Sequence, residues 1–332
     1  MNELAQQIGI TQSVLIVLVS VFAALLAGTV VRLALLSKTD PDKRRKKIGS
    51  LIAWWVLAGV FAVAVLLGQY AGIVLVGLIS AMGLREYLKI TSERFREKPL
   101  QIIAFVALPL HYLWIALHWY ETFWMFLPAC VFLLVPVRLI LAGQTKGFIT
   151  AASAVTWGMI LIVYCFSHTA LLLTLPNEIN PAGGSVGWFL FLVILTEVND
   201  IAQAIWGRKF GRHKVIPAIS PNKSWEGLIL GMLTTVALAV ALAPLLTPLA
   251  DWSYGGKIES SWLKTLLLPG TAGLLIAIGG FFGDLNMSAV KRDLRIKDAG
   301  DLIPGQGGIL DRIDSLTYTA PLFFYFVYFL FV

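Results

Sequence analysis

Ten apolar stretches, each near the roughly 20 residues that carry a helix across a bilayer, leave this chain few possible folds. They run over residues 14–36, 50–67, 70–88, 100–118, 122–141, 149–174, 186–206, 228–249, 264–283 and 316–332. In hydrocarbon every backbone N–H and C=O must find its partner inside the protein, and helices meet that demand segment by segment. The expected fold is therefore all-α: a polytopic integral membrane helical bundle of ten spans. The second and third stretches are separated only by Gly68-Gln69-Tyr70, which keeps nine spans open. Charged residues make up 14% of the chain, against roughly 25% in soluble domains, so no separate aqueous domain is expected. We read residues 1–332 as a single membrane domain, with an N-terminal bundle (1–185) and a catalytic part (186–332) carrying loops 206–227 and 284–315. No small-residue cleavage site follows the first stretch, which is read as retained. Cys130 and Cys165 both lie inside apolar stretches, which argues against a disulfide framework or a cysteine metal site.

The basic residues orient these spans. Of 26 Lys and Arg, 23 fall in the connections 37–50, 85–99, 138–146, 206–227 and 284–315, all of which a ten-span chain places on one side. Arg32 joins them, and only Lys257 and Lys264 fall opposite. Lys and Arg collect on the cytoplasmic side, so both termini are expected outside and the basic loops inside. The net charge of +7 is thus gathered on a face suited to anionic lipid headgroups and phosphates. The membrane explains that charge, and no nucleic-acid partner is implied. Trp54, Trp55, Tyr112, Trp114, Trp119, Tyr120 and Trp188 lie toward span ends, as interfacial anchors do. His111 and His118 are read as interfacial or packing residues. Gly227-x-x-x-Gly231 and Gly279-x-x-x-Gly283 would let helices approach closely.

Two basic connections are more polar than orientation requires. Residues 283–315 hold eleven charges: Asp284, Asp293, Asp298, Asp301, Asp311 and Asp314 against Lys291, Arg292, Arg295, Lys297 and Arg312. Carboxylates from different helices, close to water, suit Mg²⁺, and Asp284, Asp311 and Asp314 are the expected ligands. Asp311 and Asp314 are three apart and are expected to share a helix face. Lys291, Arg292, Lys297 and Arg312 can neutralise phosphates, with Arg able to do so bidentately. Pro304-Gly305-Gln306-Gly307-Gly308 lets backbone N–H groups approach an anion. The other connection opens with Glu197 and Asp200, acids at membrane depth that suggest function by their cost alone, and continues to Ser220-Pro221-Asn222-Lys223. No phosphate-loop, H-E-x-x-H or G-x-S-x-G pattern is present. Nothing resembles an activated nucleophile, which restricts the chemistry to direct transfer between bound substrates.

These residues resemble a known family. The run Ser288-x-x-Lys291-Arg292-x₄-Lys297-Asp298-x₅-Pro304-Gly305-x-Gly307-Gly308-x-x-Asp311-Arg312-x-Asp314 is similar to the signature of phosphatidate cytidylyltransferases, or CDP-diacylglycerol synthases. The stretch from Asp200 through Trp206-Gly207-Arg208-x-Phe210-Gly211 to Ser220-Pro221-x-Lys223-x-x-Glu226-Gly227 resembles that family's second conserved region. Together they cover about 110 residues of the C-terminal half. The resemblance implies conversion of CTP and phosphatidate to CDP-diacylglycerol and pyrophosphate, with Mg²⁺ and a second ion such as K⁺ held at Asp284 and Asp311. It also implies a nucleotide or phosphate near Ser220 to Lys223, and a bacterial inner-membrane location. One position departs: Gln306 stands where the family pattern P-G-H-G-G has histidine. Gln can hydrogen-bond a phosphate but cannot carry a proton near neutral pH.

The expected roles are then as follows. Lys223, Asp284, Lys291, Arg292, Asp311 and Asp314 form the catalytic set, and Asp200, Ser220, Pro221, Lys297, Gln306, Gly307, Gly308 and Arg312 contact substrates. A phosphomonoester is already ionised near neutral pH, its second pKa lying near 6, so it needs no general base. The competing readings are a transporter built on Glu197 and Asp200, a non-catalytic lipid- or nucleotide-binding relative, and an enzyme for another lipid or alcohol phosphate. A homodimer is one assembly open to such a bundle. The orientation is testable with fusions: a reporter active only in the cytoplasm should work after Lys146, Arg212 or Lys297 and fail after Asn180.

Overall fold

The computed structural model describes residues 10–36, 41–91, 98–250, 262–300, 302–303 and 307–332, with side chains 35–36, 41–43, 45–46, 98 and 262–264 also set aside. Expectations on Lys38, Arg94, Arg96, Lys257, Asp301, Pro304, Gly305 and Gln306, and on the side chains of Lys43, Arg45, Lys46, Lys98 and Lys264, lie outside the described residues. Among the described residues ten helices are long and apolar enough to cross a membrane. They are α1 Gln12–Leu36, α2 Pro41–Leu66, α3 Gln69–Thr91, α4 Lys98–Ala116, α5 Tyr120–Leu141, α6 Phe148–Thr174, α7 Gly184–Phe210, α8 Trp225–Leu246, α9 Trp262–Asp293 and α10 Leu310–Phe331. The ten-span expectation holds. Gly68, at φ 96°, separates α2 from α3 in a conformation that side chains rarely adopt.

α2 and α10 start before their expected bounds, at Pro41 and Leu310, and α7 and α9 run past theirs. α7 continues through Trp206-Gly207-Arg208-Lys209-Phe210, and α9 has 32 residues. At about 1.5 Å per residue α9 is roughly 48 Å long, well beyond the ~30 Å hydrocarbon layer. Asp284 therefore does not end the span. It sits on a helix that continues through Ser288, Lys291 and Arg292 to Asp293, with Met287 buried and Lys291 half-buried.

The C-terminal half is a bundle of α7 to α10, in which α7 packs on α8, α8 on α9, and α9 on α10. Lipid offers no hydrophobic drive for this, so close approach and interhelical hydrogen bonds do the joining. Gly227 lies against Gly207 and the carbonyl of Gln203, Gly231 against Gln203, Gly279 against Thr319, and Gly283 against Ser315. The packing role expected of both small-residue motifs is what is seen. Thr196 and Thr319 share a buried hydrogen bond of 3.0 Å between α7 and α10.

The N-terminal half joins through α6, which packs along α10, and α3, which packs on α6 and on the first turn of α10. The Ser80 hydroxyl donates to the Ile162 carbonyl at 2.7 Å, and Tyr87 donates to that of Ala154 at 2.9 Å. Some aromatic expectations need correction. Tyr112 and Trp188 are buried, Trp188 against Phe323 and Phe331, because the bundle interior is large enough to take whole rings. His111 is likewise fully buried, stacked on Phe123 and bonded to Ser167, whereas His118 lies on the turn after α4. Trp119 is exposed, as expected.

A side chain added at Gly273 would press its Cβ to 2.7 Å from that of Ala239 and 3.0 Å from the Val236 Cα, while Gly270 has its nearest neighbour at 3.9 Å. Gly273→Leu should therefore lower the melting temperature measured in detergent, as overpacking by roughly 1–3 kcal/mol does, and Gly270→Ala should leave it near wild type.

Candidate active site

The site is assembled where the extended end of α9 meets the connection after α7 and the start of α10. The α7–α8 connection is a short folded loop. Val215 N–H donates to the Lys223 carbonyl and Trp225 N–H to that of His213, closing a hairpin-like return around the turn Ile216–Ser220. Its far end is fastened by α8: the Ser224 hydroxyl caps the helix by accepting from Gly227 N–H. The Glu226 carboxylate accepts from the N–H groups of Arg212 and His213 and from His213 Nδ1 at 2.6 Å. The loop is thereby held so that Lys223 turns inward while Pro221 stays exposed and Ser220 half-buried on the turn.

Lys223 is largely enclosed. Its Nζ lies 2.7 Å from Asp284 Oδ2, donates to Gln203 Oε1 at 3.2 Å, and stands over the Phe281 ring. Because the lysine can only donate, the Gln203 oxygen must face it. Gln203 Nε2 is then left to donate to Asn199 Oδ1 at 3.0 Å, where Thr235 also donates at 3.1 Å. A stack of buried polar groups thus descends from Lys223 into the bundle, each oriented by the one above. Gly231 and Gly280 make room for it, since a Cβ at either would meet Gln203 or Asn199.

Asp284, Ser288 and Lys291 are spaced four and three apart and share one face of α9. The Ser288 hydroxyl donates to Asp284 Oδ1 at 3.3 Å. Lys291 Nζ lies 2.7 Å from Asp311 Oδ1, and Asp311 Oδ2 accepts from Ala299 N–H at 3.0 Å and Gly308 N–H at 3.1 Å. One carboxylate thus ties α9, the segment that follows it and the start of α10. Gly307 has φ 87°, and a Cβ there would run into that same carboxylate. Arg292 Nε donates to the Ile219 carbonyl at 3.2 Å, so α9 also grips the α7–α8 loop. Lys297 lies exposed on the return from α9.

A second layer lies deeper. Asp314 and Ser315 interrupt α10 by a turn, and both are buried. The Ser315 hydroxyl donates to Asp200 Oδ2 at 2.7 Å, while Asp200 Oδ1 is buried without a partner. Asp314 lies within electrostatic reach of Asp284, Asp200 and Lys291, and Arg312 within reach of Asp200 and Glu197.

The structure brings Asp200, Lys223, Asp284, Lys291, Arg292, Gly307, Gly308, Asp311, Arg312 and Asp314 together. It leaves Ser220, Pro221 and Lys297 on the surface around them. The expected ligand set of Asp284, Asp311 and Asp314 is not gathered at one point: among the described residues no three acids, histidines or cysteines form such a group. Asp311 is tied up by Lys291 and the N–H groups of Ala299 and Gly308, while Asp314 is buried nearer Asp284 and Asp200. Asp284, Asp314 and Asp200 are the acids within electrostatic reach of one another, with Asp200 Oδ1 buried and unpartnered, but they too do not form a ready ligand group. Sequence reasoning gave no role to Gln203 and Asn199, which read as polar residues of a span, or to Ser315 at the end of the charged connection. It also missed Glu86, hidden in a connection whose basic residues already had an explanation.

Residues 49–330 match the Cytidylyltransferase family. The chain belongs to that family. It is 40% identical over 310 residues to the uncharacterized protein YnbB of Escherichia coli, covering 93% of this chain and 97% of that one. It is 37% identical over 140 residues to the phosphatidate cytidylyltransferase of Haemophilus influenzae, covering 42% of this chain and 45% of that protein. Over 146 residues it is 37% identical to the phosphatidate cytidylyltransferase of Mycobacterium tuberculosis, 43% and 38% of the two chains. The chain thus spans less than half the length of these two named enzymes in the matched region.

Removing Lys223 alone would leave Asp284 uncompensated beside two further acids, which is the expensive way to break a partly buried pair. Lys223→Met should therefore melt below wild type in detergent. Adding Asp284→Asn should raise the melting temperature again, which would identify the pair as the source of the loss.

Proposed function

We propose that this cytidylyltransferase-family protein joins CTP to phosphatidate, giving CDP-diacylglycerol and pyrophosphate, on the cytoplasmic face of a bacterial inner membrane. The observation that carries this reading is the convergence of Lys223 and Lys291 at one end of the bundle. Each comes from a different polar connection and each is held against a carboxylate at 2.7 Å. Two anionic substrates repel each other, and fixed cations that cost no reorganisation are what brings them together. The names of the Haemophilus and Mycobacterium relatives support the choice of acceptor.

In this reading a phosphate oxygen of the lipid forms a bond to the α-phosphorus of CTP. The bond from that phosphorus to the bridging oxygen of the β-phosphate breaks, and pyrophosphate leaves with the electron pair. The lipid phosphate is ionised already and gives up no proton. Lys291 and Arg292, in the last turn of α9, would take the nucleotide phosphates. Lys223, one layer deeper, is placed nearer the lipid headgroup. Arg312, half-buried in the first turn of α10 and within electrostatic reach of Asp200, would meet a lipid phosphate entering from the side. Mg²⁺ would supply positive charge to offset that of the phosphates; Asp284, Asp314 and Asp200 do not form a ready three-acid group, so one or two of these carboxylates would hold it together with substrate phosphate oxygens. The amide stack under Lys223 keeps its ammonium aimed at the site.

The test is formation of labelled lipid from CTP by the purified protein in liposomes, offered phosphatidate beside a panel of other phosphorylated lipids and alcohols. Phosphatidate should be the preferred acceptor. Asp284→Asn and Lys291→Met should each lower turnover about 100-fold or more, in line with loss of a preorganised charge at a transition state. Wild-type-like turnover by Asp284→Asn would refute the assignment, and preference for another phosphate would relocate the substrate without touching the family.

A further inference from the structure

The N-terminal half contributes one carboxylate to the region of the site. Glu86 stands in the last two turns of α3, five residues before that helix ends at Thr91. Its Oε2 accepts from Leu310 N–H at 2.9 Å, across 224 residues of sequence. Leu310 is the first residue of α10, so Glu86 occupies the position of a capping acid at that helix's start. The same carboxylate packs against two glycines. A Cβ at Gly300 would come 2.7 Å from Glu86 Oε1, and one at Gly308 would meet Oε2 at a distance no side chain tolerates. Gly83, one turn earlier on α3, packs its bare backbone against Ile313.

Three points of backbone, at Gly300, Gly308 and Leu310, thus converge on one side chain from another part of the fold. Two of them adjoin the donors to Asp311: Ala299 N–H precedes Gly300, and Gly308 itself donates. The height of Asp311 opposite Lys291 is therefore set from two directions. Lys291 holds it from α9, and Glu86 holds the strand of backbone that feeds it.

We infer that Glu86 is a positioning residue for nucleotidyl transfer: it seats the start of α10 and its flanking glycines so that Asp311 meets Lys291. This rests on the cytidylyltransferase reading above, and a carboxylate that acts only through backbone seating predicts a particular pattern. Glu86→Ala should lower kcat/KM for CTP by about 10- to 100-fold, as small displacements of a positioned group do. Hydrogen exchange in peptides spanning 298–313 should become faster, with peptides of α7 and α8 unchanged. Glu86→Gln keeps an acceptor oxygen of the same reach and should recover most of both turnover and protection.

The experiment uses the full chain in liposomes for turnover and in detergent for exchange. Turnover of Glu86→Ala within about twofold of wild type overturns the inference. So does a fall in turnover with exchange at 298–313 unmoved. Should Glu86→Ala fail to fold, Glu86→Gln decides: lost turnover with protection intact would make the charge itself chemical and sink the seating role. If wild type makes no labelled lipid, the functional reading fails, and the exchange of Glu86→Ala still reports on the seat.

Discussion

An ammonium group at the edge of an apolar bundle has to be paired, and two such pairs organise this protein. Lys223–Asp284 and Lys291–Asp311 are both 2.7 Å contacts in which neither side chain is more than 28% exposed. Water screens them little, so each pair dictates where its backbone can go. The first requires the α7–α8 loop to fold back over α9, which Ser224, Glu226 and Arg292 accomplish. The second requires α9 to run on to Asp293 and the start of α10 to return to it.

Below them the interior is unusually acidic for its depth. Asp200, Asp284 and Asp314 lie within electrostatic reach of one another, and Lys223 and Lys291 are already committed. An unpaired acid in such surroundings is costly, and one oxygen of Asp200 lacks any partner. Our proposal gives that surplus of negative charge a purpose in holding a divalent ion. The amide stack of Gln203 and Asn199 solves a different problem. It satisfies a buried lysine from beneath with neutral groups, each fixed by its neighbour, so that no further charge is needed.

Membership of the cytidylyltransferase family spans nearly the whole chain, from residue 49 to 330. The two polar connections with specific motifs occupy only the C-terminal part. The contact from Glu86 gives a physical reason for the N-terminal half to be more than an anchor: α3 is packed against the start of α10, so a shift in one is felt in the other.

Much of this was legible in the sequence. Runs of apolar residues specify helices because hydrocarbon offers the backbone no other partner, so the all-α class followed from length, while the count stayed between nine and ten until Gly68 was seen to separate α2 from α3. The residues of the site were also visible, since charges beside membrane helices are few and stand out. Their pairing was not. Asp311 and Asp314 looked like joint ligands of one ion, but Asp311 is committed to Lys291 and two backbone N–H groups while Asp314 is buried among Asp284 and Asp200. Asp284 looked like the end of a span, and proved to lie mid-helix on a rod that continues to Asp293. Gln203, Asn199, Ser315 and Glu86 gave no signal, because an amide, a hydroxyl or a single acid acquires its role only from what faces it. Composition and spacing determined which elements form and which charges they carry. Contacts between residues as far apart as 86 and 310 were decided by the tertiary structure, because helix packing, not chain proximity, brings those groups within hydrogen-bond reach.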